Sequence, residues 1–289
     1  MIKKFCELPG RPRYINIKGK LLDLTIPKVM GVLNITPDSF YKGSRYNNDA
    51  DIIRIAIKMI EDGADILDVG GYSSRPGAAD ISQEEEKMRV LRAIRLISKE
   101  LPEVAISVDT FRADIAMEAV NECGACIVND ISGGEADMKM FSIVEKLNVP
   151  YIMMHMRGDP RIMQNNPVYD DVVADILRWF GKRIFRLQSV GVKDIIIDPG
   201  FGFGKTVEHN FELLRRLGDF SVAGLTVLVG VSRKSMIWKT LGITPDEALN
   251  GTSVLNTIAL LNGADILRVH DVKEAVQAVR LIEKLKEYN

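Results

Sequence analysis

Four times in this chain a helical stretch ends on a glycine. One or two small residues, an apolar run and then a polar cluster follow. The four are Gly63-Ala64-Asp65-Ile66-Leu67-Asp68-Val69-Gly70, Gly124-Ala125-Cys126-Ile127-Val128-Asn129-Asp130, Gly191-Val192-Lys193-Asp194-Ile195-Ile196-Ile197-Asp198 and Gly263-Ala264-Asp265-Ile266-Leu267-Arg268-Val269-His270. Such a glycine suits the left-handed residue that ends a helix, and the apolar run suits a strand buried on both faces. Further strands are expected at Met30–Leu33, Ala105–Val108, Tyr151–Met154 and Val227–Gly230, which makes eight. Amphipathic segments at Asp49–Asp62, Ser82–Glu100, Arg112–Cys123, Met138–Leu147, Tyr169–Val190, Val207–Leu217, Thr244–Asn262 and Asp271–Tyr288 alternate with them. Ser82-Gln83-Glu84-Glu85 reads as a capping box, and Thr244-Pro245-Asp246-Glu247 as another with proline at the first helical position. One unbroken alternation predicts an α/β protein: a single parallel (β/α)8 TIM barrel, not an open sheet. Tyr14–Leu24, around Lys18-Gly19, predicts an N-terminal β-hairpin. The expected division is residues 1–28 as an extension whose hairpin packs on the barrel, and 29–289 as the barrel itself.

The length of 289 residues fits one such barrel. Charges nearly balance, with 38 Lys plus Arg against 39 Asp plus Glu, so no global field favours nucleic acid or a membrane surface and an anion site must be local. The N-terminus lacks the apolar core of a signal peptide and no apolar run reaches the length of a membrane span, which points to the cytosol. Cys123 and Cys126 form a Cys-x-x-Cys, but with helix before strand, the reverse of the redox motif; two small buried residues are expected.

In a β/α barrel the ligand sits at the carboxyl ends of the strands. Those ends carry Asn34; Asp68 and Ser73-Ser74-Arg75-Pro76-Gly77; Ser107 and Asp109; Asn129; His155; Asp198; Ser232-Arg233-Lys234-Ser235; and Arg268 with His270. Pro37 ends the first strand after Asn34 has been delivered. Spacing by two puts Arg268 and His270 on one face, and Ser107 and Asp109 likewise. Asn34, Arg75, Arg268 and His270 suit a phosphorylated or diphosphorylated group, with an oxygen of Asn34 for Mg²⁺. Asp109, Asn129, Asp198 and Lys234 mix acceptors and donors as a flat heterocycle edged with N–H and C=O groups requires. The competing reading is an ion-pair network that only closes the barrel top. Asp198–Thr206 imitates a phosphate loop, but Pro199 replaces the first glycine, and Lys205 stands where a dinucleotide fingerprint needs its third. The histidines His155, His209 and His270 lack zinc spacing; His209 is expected on a helix surface. The run Met153-Met154-His155-Met156 reads as core, although one methionine is a candidate to line an aromatic ligand, and Met153 is the one selected.

The ordered motifs Gly31-Val32-Leu33-Asn34-Ile35-Thr36-Pro37-Asp38-Ser39-Phe40, Ser73–Gly77, Ser107-Val108-Asp109-Thr110, Val128-Asn129-Asp130, Asp198–Lys205, Ser232–Ser235 and Arg268-Val269-His270 together resemble the dihydropteroate synthases, over essentially the whole chain. The resemblance implies that 4-aminobenzoate displaces pyrophosphate from 6-hydroxymethyl-7,8-dihydropterin diphosphate to give 7,8-dihydropteroate. It implies that Asp109, Asn129, Asp198 and Lys234 hold the pterin and that Arg268 stacks on its ring. Asn34 would bind Mg²⁺, and Arg75, Arg268 and His270 the diphosphate. Ser74, Pro76, Phe203 and Ser235 would border the aminobenzoate, and Asn34, Lys234, Arg268 and His270 would carry the catalysis. A homodimer is also implied. The chain departs from the family in two places: Tyr72 stands where Glu is usual, and Tyr41-Lys42-Gly43 replaces Ser-Asp-Gly, leaving Asp38 as the candidate loop acid. A pterin-dependent corrinoid methyltransferase and a non-catalytic pterin-binding protein are the rival readings.

Overall fold

The computed structural model describes residues 14–35, 49–73, 80–158 and 167–288. An antiparallel hairpin, β1 (Tyr14–Ile17) and β2 (Lys20–Asp23), turns at Lys18 and Gly19, both at positive φ. Eight parallel strands follow: β3 (Lys28–Asn34), β4 (Ile66–Gly70), β5 (Ala105–Asp109), β6 (Ile127–Asp130), β7 (Tyr151–Met154), β8 (Ile195–Asp198), β9 (Thr226–Val229) and β10 (Ile266–Val269). They close in chain order, β10 pairing with both β9 and β3. The four glycines of the repeat, Gly63, Gly124, Gly191 and Gly263, all sit at φ between 94° and 101°, the left-handed turn that releases each helix into its strand.

The helices are α1 (Asp49–Glu61), α2 (Gln83–Glu100), α3 (Ala113–Glu118), α4 (Met140–Leu147), α5 (Val172–Ser189), α6 (Val207–Arg215), α7 (Ser235–Leu241), α8 (Leu249–Leu261) and α9 (Val272–Lys286). Three departures from the expected pattern have local causes. The segment from Arg112 finishes as a π-helical turn, Ala119–Cys123. The box at Thr244 forms, but it closes only a 3₁₀ turn, Pro245–Glu247, and α8 starts after it. A short helix not expected from the sequence, α7, opens directly after the Ser232–Lys234 loop and stops at Gly242, φ 66°. Ser82 does cap α2, accepting from the Glu85 amide.

Side chains alternate along each strand. Outward-facing Leu67, Val69, Val108, Val128, Met153 and Ile197 join helix residues such as Val90, Ile94, Ile176 and Val279 in the main apolar layer. Inward-facing Met30, Ile66, Ile127, Ile152, Ile196, Leu228 and Ile266 form a second apolar cluster with Ile15, Ile17 and Leu24 of the hairpin segment. Lys18 donates to the Gly124 carbonyl and Lys20 pairs with Glu103, both just ahead of strands. The hairpin therefore closes the N-terminal end of the barrel and leaves the polar end uncovered by it. Cys123 and Cys126 are free and buried, as expected.

Candidate active site

One layer above the apolar plug, the inward positions change character. Asp68 on β4, Ser107 and Asp109 on β5, Asn129 on β6, Asp198 on β8 and Arg268 on β10 share the inward parity. Arg268 crosses the mouth: its Nε donates to Asp68 Oδ2 at 2.6 Å and its Nη2 to Asp109 Oδ2 at 2.6 Å. Asn129 Nδ2 donates to the same Asp68 oxygen at 3.0 Å. Burial pushes the Asp109 carboxyl up, Arg268 opposes, and Asp68 adds to the rise. Burial alone would lower the Arg268 guanidinium, but the two carboxylates hold it above its ordinary range. Asp68 Oδ1 and Ser107 Oγ are buried without a hydrogen-bond partner among the described residues. Orphaned polar atoms beside a planar donor–acceptor ring are groups that a bound polar molecule can satisfy.

Across the opening, Lys234 stands at the head of α7. Its ammonium donates to the Phe201 carbonyl and lies 4.6 Å from the centroid of the Phe203 ring. Burial lowers its pKa to about 8, against the pull of Asp198. Asp198 is also raised by burial, with Lys234 opposing, and its Oδ1 accepts from the Gly200 amide at 2.7 Å. His270, the residue after β10, has its Nδ1 3.0 Å from Ser232 Oγ, which also accepts from the His270 amide. Ser235 is the first residue of α7, half-buried beside Lys234. Arg233 turns away, forked onto Asp271 at 2.8 and 2.9 Å.

Asn34 ends β3, and its Oδ1 lies 3.4 Å from where a Cβ on Gly70 would stand, so the amide leans toward the β4 end. Asp109, Asn129, Asp198, Lys234, Arg268, His270, Asn34, Phe203 and Ser235 are thus all on loops, strand ends or the first turn of α7 at one end of the barrel. Met153 is not brought there: it is fully buried in the outer apolar layer, because strand alternation turns it toward the helices. Met154 takes the inward position, level with Asp198 and close enough to Gly200 that a Cβ there would lie 3.3 Å from its Cγ. Ser74, Arg75 and Pro76, with Asp38, Tyr41 and Lys42, fall outside the described residues. Tyr72 packs edge-on against Phe111, with ring centroids 5.1 Å apart. His209 is not a bare surface residue; it completes a capping box with Thr206 and packs against Tyr169.

Two contributors escaped the sequence reading of the site. Asp68, named there only as a strand end, proves to be the junction between Arg268 and Asn129; its inward parity was the available signal. Glu86 is fully buried below the β4 and β5 ends, accepting from Thr110 Oγ1 at 2.6 Å and pairing with Arg112 at 3.2 Å. Its clue was a carboxylate four residues before Val90, on the apolar stripe of α2.

Comparison with known proteins gives the family and the fold. Residues 30–270 match the family model described as pterin binding enzyme. The dihydropteroate synthase of Escherichia coli (strain K12) is 45% identical over 268 residues, 92% of this chain and 94% of the relative. The fold superposes on Xanthomonas albilineans dihydropteroate synthase with 4-aminobenzoic acid at a TM-score of 0.88 and 36% identity, covering 95% of this chain and 98% of the other. The same enzyme in complex with 7,8-dihydropteroate gives 0.85 and 34%, covering 94% and 98%. From its first barrel strand to the histidine after its last, this chain belongs to the pterin-binding enzyme family, among the dihydropteroate synthases.

Proposed function

We propose that this mouth condenses 6-hydroxymethyl-7,8-dihydropterin diphosphate with 4-aminobenzoate. The amine nitrogen bonds to the pterin methylene, the methylene–oxygen bond breaks, and pyrophosphate departs with the electron pair. The amine then gives up a proton, and 7,8-dihydropteroate remains. The observation that carries this reading is the Asp68–Arg268–Asp109 bridge with Asn129 at its side: acceptors and planar donors, held in one inward layer, matching the edge of a pterin. Asp109, Asn129, Asp198 and Lys234 hold the ring, the Arg268 guanidinium lies against its face, and Met154 packs below. Arg75, Arg268 and His270 receive the diphosphate; Ser74, Pro76, Phe203 and Ser235 border the aminobenzoate.

Leaving-group departure is the demanding step, because an aniline nitrogen is a weak nucleophile that needs no strong base. The cations stabilise charge as it builds on pyrophosphate, and the electron-rich ring tolerates positive charge at its methylene, so the displacement is dissociative. A secondary-isotope effect at that methylene is expected to be large; a value near unity contradicts it. Mg²⁺ fits the donors present. Among the described residues no three His, Cys, Asp or Glu side chains could cage a metal, and Mg²⁺ prefers one or two protein oxygens plus phosphates and water. The Asn34 amide oxygen would hold it, and the ion would supply charge neutralisation at the leaving diphosphate.

The direct test is pyrophosphate release on mixing both substrates with the protein and Mg²⁺. Release confirms the synthase; pterin binding without release favours a non-catalytic binding protein. The enzyme is further proposed to act as a cytosolic homodimer. Among the described residues no helix is long and apolar enough to cross a membrane. Val254 and Leu261 on α8, with Leu281 and Leu285 on α9, are exposed apolar side chains on two packed helices. Sedimentation at micromolar concentration should give twice the chain mass.

A further inference from the structure

Lys205, the residue on which the dinucleotide fingerprint fails, has no part in the reaction described above. It is 2% exposed and forms no salt bridge with a carboxylate among the described residues. An ammonium so placed costs solvation that an apolar side chain of similar length would not. Its hydrogen bonds go almost wholly to backbone: the carbonyls of Gly200 at 2.9 Å and Phe203 at 2.9 Å, with the His155 carbonyl at 3.4 Å. The fourth partner is His155 Nδ1 at 3.0 Å. Burial pulls the Lys205 ammonium well below the usual lysine range, with Asp198 opposing, and the amine and the ring nitrogen share one proton-bearing contact. Burial, with Lys205 and Arg157 adding to it, keeps that ring well below the usual histidine range and neutral.

The loop after β8 is shaped to this lysine. Gly200, Gly202 and Gly204 have φ of 71°, 80° and 62°. A Cβ on Gly200 would lie 1.9 Å from the His155 carbonyl oxygen, and one on Gly204 2.5 Å from that of Arg157, so neither position admits a side chain without moving backbone. The loop's amides are tied down as well: Gly200 to Asp198, Gly202 to Asn210 and Phe203 to the Gly200 carbonyl. The opposite side of the same loop presents the Phe201 carbonyl and the Phe203 ring, the two groups that hold the Lys234 ammonium. One short loop therefore grips one lysine inside and another at the mouth.

We propose that Lys205 is a positioning residue for the condensation: its terminal amine gathers the carbonyls of Gly200, Phe203 and His155, and so fixes Phe201 and Phe203 where they seat Lys234 and flank the aryl amine. This rests on the proposed synthase reading, which supplies the role of Lys234 and Phe203. A lysine kept merely to fill space would be replaceable by Met without consequence for the mouth.

The test uses the full chain carrying Lys205→Met. Amide exchange of residues 199–206, followed by mass spectrometry without substrate, is expected to speed up by about tenfold or more, while the strands flanking the loop stay protected. In steady state the KM for 4-aminobenzoate should rise by about tenfold, a typical cost of loosening a supporting residue, with kcat falling by less than about threefold. Loss of folded protein alone would lower kcat and leave KM where it was. Lys205→Met indistinguishable from wild type in both exchange and KM overturns the proposal. Should that variant not fold, His155→Leu keeps the lysine but removes its ring partner, and the same two changes are expected at reduced size; their absence overturns it equally. Exchange is read without turnover, so an absence of pyrophosphate release from wild type would sink the synthase reading while leaving the cage measurable.

Discussion

The two ends of this barrel are built by the same strands in the same register, yet they obey opposite rules. At the N-terminal end the inward positions are Met30, Ile66, Ile127, Ile152, Ile196, Leu228 and Ile266, sealed by the hairpin's Ile15 and Ile17. Two residues further along the same strands stand Asp68, Asn129, Asp198 and Arg268, with Met154 as the apolar member of the layer. The lower layer is stabilised by area removed from water. The upper layer holds carboxylates and cations whose burial is unfavourable and is offset only by mutual pairing. That contrast separates stability from chemistry, so substitutions one strand pitch apart should fail in different ways.

The largest effect is expected at Arg268. Replacing it with Met removes the charge proposed to face the leaving diphosphate, and kcat/KM should fall by about 10²–10³-fold. It also leaves Asp68 and Asp109 buried with no cation between them, so stability at neutral pH should fall by about 3 kcal/mol. The sign of the pH dependence follows. Without Arg268 the Asp109 carboxyl, already raised by burial, rises further above its unfolded value, and this destabilisation is relieved as Asp109 protonates. The deficit in Tm relative to wild type should narrow as pH drops from neutral toward about 4; a constant deficit breaks the assignment.

At the other end, Ile66→Ala or Ile266→Ala should cost about 2–5 kcal/mol in denaturant unfolding with both KM values unchanged. Changed KM values there would show that the layers are not separable. Lys234→Ala should lower kcat/KM for the pterin diphosphate by about 10²-fold without unfolding the barrel; unchanged kinetics refutes its role. Because Lys234 loses its proton near pH 8, wild-type kcat/KM should decline above that pH. Lys234→Arg should push the decline beyond the accessible range, since a guanidinium keeps its charge. The smallest effect is expected at Lys20→Ala. The Lys20–Glu103 pair at the closed end is exposed on both sides, and neither Tm nor rate should change measurably.

How legible this contrast was in the sequence depended on the physics of each element. The strands announced themselves because each of four helices must stop at a left-handed glycine before a doubly buried run. The Asp109–Arg268 pairing was half visible: spacing gave the parity of each residue, but only barrel closure brings β5 and β10 to the same mouth. Two adjacent methionines cannot be told apart by composition, and the register with Asp198 is what turned Met154 inward in place of Met153. The helix α7 was hidden by its brevity, since seven residues hold too little periodicity to recognise. Its stop, Gly242, was in plain view. Lys205 and Glu86 were illegible for a different reason. Buried charges that serve backbone and neighbouring turns look, in sequence, like ordinary surface residues.

The most direct test of the central claim is a crystal structure with the dihydropterin diphosphate bound. The ring is expected between Asp109 with Asn129 and Asp198 with Lys234, its diphosphate toward Arg268 and His270, and the Arg268–Asp109 bond opened to admit it. A pterin bound away from that layer, or Arg268 still bridging Asp68 and Asp109 over an empty mouth at saturating ligand, would contradict it.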